Sequence, residues 1–378
     1  MKKIYLDYAA TTPVSEKVYE KMNPFFSDCY GNPSSLHSQG RKAKEAVEKT
    51  RKNIKNKLNA KKHKLVFTSG GTESNNLAIK GLAYKNPSKK HIITTKIEHD
   101  CVLNTCKWLE KQGYEITYLS VDEEGFVNLE ELEKKIKKET LLVSIIHANN
   151  EIGTIQDLKK ISQICHQKGT ILHSDACQSF TKVPIDVIEE DIDLLTINAH
   201  KIYGPKGVGA LLIKDYLNVE PLFHGGHHEE GIRSGTLNVS GIVGFGEAIN
   251  EISLKDIEHM TKLRNKMIKE LKNIKDVRIN GSLEKRLCNN INVTFKDAEG
   301  ESIVLHLDNR GIFASTGSAC SSNTLKSSHV LSAIGLKQED SHGSVRFSLG
   351  KETTEEDIDY VITNIKEIIS LLREMNPL

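Results

Sequence analysis

Residues 198–209 read NAHKIYGPKGVG and follow directly on the largely apolar run 192–197. Such a run reads as a buried strand, and the pair His200-Lys201 falls where the strand gives way to a turn of Gly, Pro and Lys. A strand that delivers a lysine just outside its carboxyl end is how an α/β protein offers an amine to a ligand. An amine held there suits Schiff-base formation with a carbonyl. Taken alone, the stretch equally allows Lys201 to be one more solvated lysine, so the surrounding chain has to decide.

Upstream, strand and helix patterns alternate. The segments LVFT, HIITT, YEITYLSV, LLVSIIHAN, TILHSDA and IDLLTIN are separated by helix-period stretches, for example 101–112 and 158–167. Near-continuous apolar strands of this kind predict an α/β fold with a mostly parallel sheet covered by helices on both faces. Ligands in that architecture gather at the carboxyl ends of the strands. Those ends carry His99, Asn149-Asn150-Glu151, Asp175 with Gln178, and His200-Lys201. After LVFT comes Ser69-Gly70-Gly71-Thr72-Glu73, which opens a helix. Glycines and a hydroxyl at a helix N-terminus make an anion site, because free backbone N–H groups and the helix dipole face the loop. A plain tight turn reads equally well from these residues. The Walker pattern GxxxxGK[ST] does not occur.

Beyond Lys214 the pattern changes. His224-Gly225-Gly226-His227-His228-Glu229 lacks HExxH spacing and reads as a glycine-rich loop, so no metal centre is expected. A helical region is predicted from after Thr236 to about Lys275. A smaller α+β part follows, with strands VRING, NINVTF and SVRFSLG and a last helix launched by a capping box from Thr353 to Glu356. The expected division is a large part, 14–255, and a small one made of 1–13 and 256–378.

Composition narrows the function classes. With 52 Lys plus Arg against 50 Asp plus Glu, the net charge of +2 gives no reason for an obligatory nucleic-acid partner. The basic segment 41–64 carries Ala43, Val47, Ile54 and Leu58 at helical spacing and reads as one solvated helix face. Seven cysteines without CxxC suit free thiols in a reducing compartment. No signal peptide and no run of about 18 apolar residues is seen, so a cytoplasmic location and no membrane are expected.

If a carbonyl cofactor such as pyridoxal phosphate sits on Lys201, its ring nitrogen needs a carboxylate, and Asp175 at an upstream strand end is the natural choice. Gln178 can then bond the ring's phenolic oxygen, His99 can stack on the ring or carry protons, and Gly71 with Thr72 takes the phosphate. Cys320 lies in GSACSSN, a run of small and polar residues that suits an accessible nucleophile. In SVRFSLG the apolar residues 345, 347 and 349 point one way, which leaves Arg346 on the open face for a substrate carboxylate.

The motifs YLDYAATTPV, GNPSS, FTSGGTESNN, EHDCVL, NNEIGTIQ, HSDACQS, HKIYGPKGVGAL, RSGTLN, STGSACSS and SVRFSLG occur in this order over almost the whole chain. In that order they closely resemble the cysteine desulfurases of the NifS/IscS type, within the class V aminotransferase-like, fold-type I pyridoxal phosphate enzymes. The resemblance implies that Lys201 anchors the cofactor, His99 stacks on it, Asp175 pairs with its ring nitrogen and Gln178 with its phenolic oxygen. It further implies phosphate contacts from Gly71, Thr72, Asn198 and His200, with Thr236 supplied across a homodimer interface. Asn150 and Arg346 would take the carboxylate of L-cysteine. Cys320 would receive the sulfur as a persulfide, leaving L-alanine. The sulfur would then pass to an acceptor protein, an iron–sulfur scaffold or a tRNA-thiolation or cofactor-synthesis enzyme.

Three departures qualify the resemblance. Asn198 stands where the family usually has Ser, so an amide would make that phosphate contact. The loop reads GGHHEEG, where a third glycine and an Arg are commoner. The sequence stops at Leu378, without the C-terminal extension that housekeeping members use to dock the scaffold, so delivery to that scaffold is not implied. The long segment Ser315 to Ser328 resembles that of members that hand persulfide on directly. A selenocysteine lyase, or a desulfurase dedicated to one acceptor, is the competing reading.

Overall fold

The computed structural model describes residues 2–316 and 327–375. Seven strands form the main sheet: β2 (His63–Thr68), β3 (His91–Thr95), β4 (Glu115–Leu119), β5 (Thr140–Ser144), β6 (Ile171–Asp175), β7 (Leu194–Asn198) and β8 (Gly209–Lys214). Their order is β2-β8-β7-β6-β5-β3-β4. The pairs among β7, β6, β5, β3 and β4 are parallel, and β8 runs antiparallel to both of its neighbours. Strands β5 and β7 are buried along their whole length. That is why their sequences are apolar runs without alternation.

Helices cover both faces. On one, Leu77, Leu82, Val102 and Leu109 from the helices Gly71–Lys85 and Asp100–Glu110 pack on Val66, Leu142 and Leu211 of the sheet. On the other, the basic segment becomes the helix Ser38–Lys57, which buries Ala43, Val47 and Ile54 and turns its lysines outward, as the helical spacing predicts. Phe180 and Phe245 meet edge to face there, with centroids 6.2 Å apart. The region after Thr236 is not one continuous helical stretch. It divides into Val239–Ala248 and Leu254–Leu271, and the second helix starts at a capping box between Ser253 and Asp256.

A smaller antiparallel sheet follows, with β9 (Val277–Asn280), β10 (Asn290–Phe295) and β12 (Ser344–Ser348) in the order β12-β10-β9. The N-terminal strand β1 (Ile4–Tyr5) pairs in parallel with β11 (Ile312–Phe313). From there the segment 7–12 crosses back to the main sheet. Asp7 bridges to Ser348, the Ala9 N–H donates to Ser348 Oγ at 2.8 Å, and Thr12 donates twice to the His200 carbonyl, at 2.9 and 3.0 Å. This strap ties β12 to the turn that carries Lys201.

Two local expectations are corrected. The last helix, Glu355–Met375, is capped one residue later than predicted, by reciprocal bonds between Thr354 and Asp357 of 2.9 and 3.1 Å. Thr353 instead accepts from the Gly350 N–H at 3.0 Å. Strand β12 has no open face, since every residue in it is buried and Arg346 is only 3 % exposed. The strap and Ser315 cover the side that the alternation leaves polar.

Phe180 sits two residues after Gln178 and anchors this layer. Phe180→Ala should lower unfolding stability by about 3 to 5 kcal/mol, the usual result of emptying a buried aromatic site, read as a lower urea midpoint at unchanged slope.

Candidate active site

Asp175 ends β6 with its carboxylate buried at 5 % exposure. One oxygen accepts from the Cys177 N–H at 2.9 Å and the other from Asn75 Nδ2 at 2.7 Å. Burial alone would raise its pKa. The Cys177 N–H, the nearby His99, the Asn75 amide and Lys201 outweigh it and hold the carboxyl below its ordinary value. An anion so poised can neutralise a protonated ring nitrogen.

His99 follows β3 and serves as the N-cap of the helix Asp100–Glu110, its Nδ1 accepting from the Cys101 N–H at 3.2 Å. Burial, then Lys201, lower its pKa. The helix N-terminus acts in the same direction by disfavouring imidazolium. A capping His99 is therefore neutral, with its proton on Nε2. Lys201 lies in the turn after β7, within electrostatic reach of both His99 and Asp175.

The helix Gly71–Lys85 begins at Gly70 with no side-chain cap, so its first-turn N–H groups are available to an anion. Thr72 lies inside the first turn and does not cap it. A Cβ on Gly71 would come within 2.7 Å of Cys177 Sγ, which leaves only glycine room there. Asn198 Nδ2 is 3.3 Å from His200 Nε2, and Asn198 Oδ1 is buried without a protein partner. His200 has its pKa lowered to about 4 by burial and by Lys201, Lys206 and Lys182, and its Nδ1 lies 3.2 Å from Thr11 Oγ1. Gln178 donates through Nε2 to the Ala9 carbonyl at 2.9 Å, so its amide is already oriented by the strap.

Arg346 donates to Asp7 Oδ1 at 2.8 Å and to the Asn150 carbonyl at 3.0 Å. Its Nε and Asn150 Oδ1 are both buried with no partner. A buried guanidinium N–H and a buried amide oxygen that lack partners are each costly unless a ligand completes them. Thr236 is exposed, in the segment that precedes the helix Val239–Ala248. Cys320 lies outside the described residues. Where they resume, Ser328 donates to the buried Glu151 at 2.6 Å and His329 Nε2 lies 2.9 Å from the Glu98 carbonyl.

Several residues of this region escape sequence reasoning. Asn75 and Asp7 orient Asp175 and Arg346, and Cys101 Sγ is 3.0 Å from His99 Nδ1. Glu98 is wholly buried, and burial raises its pKa to about 8. In the GGHHEEG loop the Glu229 side chain is 1 % exposed and clasps Arg51 at 2.8 and 2.9 Å, while accepting from the Phe67 N–H at 2.8 Å. That loop is fixed to β2 through its first glutamate, and the second pairs with Lys64 at 2.8 Å.

The uncapped helix start with its glycine-only space at Gly71, the Lys201 amine and the buried Asp175 anion match the phosphate, carbonyl and ring nitrogen of pyridoxal phosphate. The aminotransferase class-V model matches residues 4–361. A protein of Dictyoglomus turgidum named cysteine desulfurase IscS is 51 % identical over 381 residues, covering 100 % of this chain and 97 % of its own. A solved structure described as a NifS-like protein superposes with a TM-score of 0.92 at 39 % identity, over 98 % of this chain and all of that one. Another, described as SspA in complex with cysteine, gives a TM-score of 0.85 at 39 % identity, over 93 % of this chain and all of its own. The chain belongs to the class-V aminotransferase family and, within it, to the cysteine desulfurases.

Proposed function

We propose that this chain converts L-cysteine to L-alanine and retains the sulfur as a persulfide on Cys320. The observation that carries the reading is the two buried, unpaired groups Arg346 Nε and Asn150 Oδ1, with Arg346 bonded to Asp7 of the strap that also orients Gln178 and the Lys201 turn. Those two groups suit the carboxylate and the amine of a bound amino acid. The Lys201 amine is within electrostatic reach of the neutral His99 and the buried Asp175.

Pyridoxal phosphate, bound through Lys201, Asp175 and the first turn of the helix Gly71–Lys85, supplies an electron sink for the substrate's α-carbon. Gly71, Thr72, Asn198 and His200 hold its phosphate, and Thr236 of a second copy reaches it across a homodimer interface. Large apolar side chains left exposed at Tyr19, Phe26, Tyr30, Leu36 and Phe223 support such an interface. Arg346 and Asn150 fix the substrate, so that only its α-hydrogen and sulfur remain to react. Lys201 takes the α-proton, with His99 close enough to share the transfer. The Cys320 thiolate attacks the substrate sulfur, an S–S bond forms, and the pair of the breaking C–S bond goes to carbon, which is protonated to give alanine.

The persulfide is then passed to an acceptor protein for iron–sulfur cluster, tRNA-thiolation or cofactor synthesis. No described helix is long and apolar enough to cross a membrane. The reading takes the site to act in the cytoplasm, on 14–255 as the cofactor-binding part and 1–13 with 256–378 as the smaller part.

Two outcomes test this. Cys320→Ser should abolish sulfide and alanine production, by more than about a hundredfold as for loss of a covalent nucleophile, with the visible cofactor band intact; normal turnover would overturn it. Lys201→Ala should lose the borohydride-sensitive cofactor linkage, and a labelled cofactor still reduced onto that variant would refute Lys201 as the anchor.

A further inference from the structure

The Cys101 thiol has a place in the site that the desulfurase reaction as outlined does not use. Its sulfur lies 3.0 Å from His99 Nδ1, and the Cys101 N–H lies 3.2 Å from the same nitrogen. The amide can only donate, so Nδ1 must be an acceptor, and the thiol facing it donates as well. On its other side the sulfur is 3.1 Å from Asn75 Nδ2, whose amide also donates to Asp175 Oδ2 at 2.7 Å. Donor directions therefore agree along the whole row. Asn75 gives one hydrogen to the carboxylate and one to the sulfur, and the sulfur gives its own to the imidazole.

We propose that Cys101 is a positioning residue of this site, whose thiol, held by Asn75, joins the backbone cap in fixing His99 as its Nε2–H tautomer and resists its protonation. The row connects the two groups that flank the ring in the desulfurase reading, on which this inference rests. Burial and the Asp175 charge push the Cys101 thiol up to about 12, so it remains an S–H donor throughout the neutral range. Lys201 and His329 also face the imidazole and oppose its charging, whereas Asp175 and Asp100 favour it. The thiol adds to the first group, by sharing with the Cys101 N–H the one lone pair where a second ring proton would go. Because Asn75 is itself buried and bonded to Asp175, the sulfur has little freedom to turn away.

The test compares Cys101→Ala, which removes the donor, with Cys101→Ser, which replaces it by a hydroxyl. In full-length protein carrying 15N-histidine, the His99 ring signals are assigned by their loss in His99→Gln. Wild type and Cys101→Ser should show a ring that stays in its neutral Nε2–H form to lower pH than an ordinary histidine. In Cys101→Ala the His99 titration should move up by about one pH unit, the scale of one lost hydrogen bond to the neutral form. The acid limb of kcat for the holoenzyme should move with it, at a KM changed by less than about twofold, as expected when only the bound-state chemistry is altered. An unchanged His99 titration in Cys101→Ala, or an equal displacement in Cys101→Ser, would overturn the proposal. Absence of L-cysteine turnover alongside the expected titration shift would count against the desulfurase reading and leave the Cys101 role standing.

Discussion

A carboxylate buried at the end of a central strand is the constraint on which this molecule turns. Asp175 cannot stay charged in an apolar layer without donors, and the chain provides them from two directions. The Cys177 N–H comes from the turn that follows β6, and the Asn75 amide from the helix that starts at the glycine loop. Satisfying one charge thus sets the spacing between the loop at Gly71 and the strand end. His99 and His200 have their pKa values lowered in the same neighbourhood, by burial and then by Lys201.

The strap 7–12 plays a second organising part. It bonds to Ser348 at one end and to His200 and Tyr203 at the other, and its Asp7 neutralises a guanidinium buried in β12. Arg346 and Asn150 come from the small sheet and from the loop after β5, while Lys201 comes from the main sheet. Their registration depends on the six residues 7–12. A pairing of Asp7 with Arg346 also leaves the guanidinium Nε as the free donor, which orients it toward an incoming anion.

Much of this was legible in the sequence, for physical reasons that differ by element. Parallel strands buried on both faces must be apolar throughout, so β5 and β7 announce themselves as runs. Strand ends in such a sheet collect polar residues, which is why His99, Asp175 and Lys201 could be singled out. Other features depend on partners far along the chain. Period-two alternation in SVRFSLG predicts an open face for Arg346, but it cannot reveal that a residue 339 positions away covers it. Asn75 lies 100 residues from the carboxylate it supports. Sequence alone does not separate the two candidate caps of the last helix, because Thr353 and Thr354 are adjacent and both have an acidic residue three positions on. The break between the helices Val239–Ala248 and Leu254–Leu271 did carry a local signal, Ser253 with Asp256, which a search for Ser-x-x-Asp pairs finds.

In the proposed reaction carbon chemistry falls to Lys201 and sulfur capture to Cys320. Mass spectrometry of the holoenzyme after incubation with L-cysteine tests that division most directly. The account predicts a peptide containing Cys320 heavier by one sulfur atom, reversed by a thiol reductant and accompanied by alanine. Alanine formed while Cys320 stays unmodified, with the added sulfur on another cysteine or on none, would contradict it.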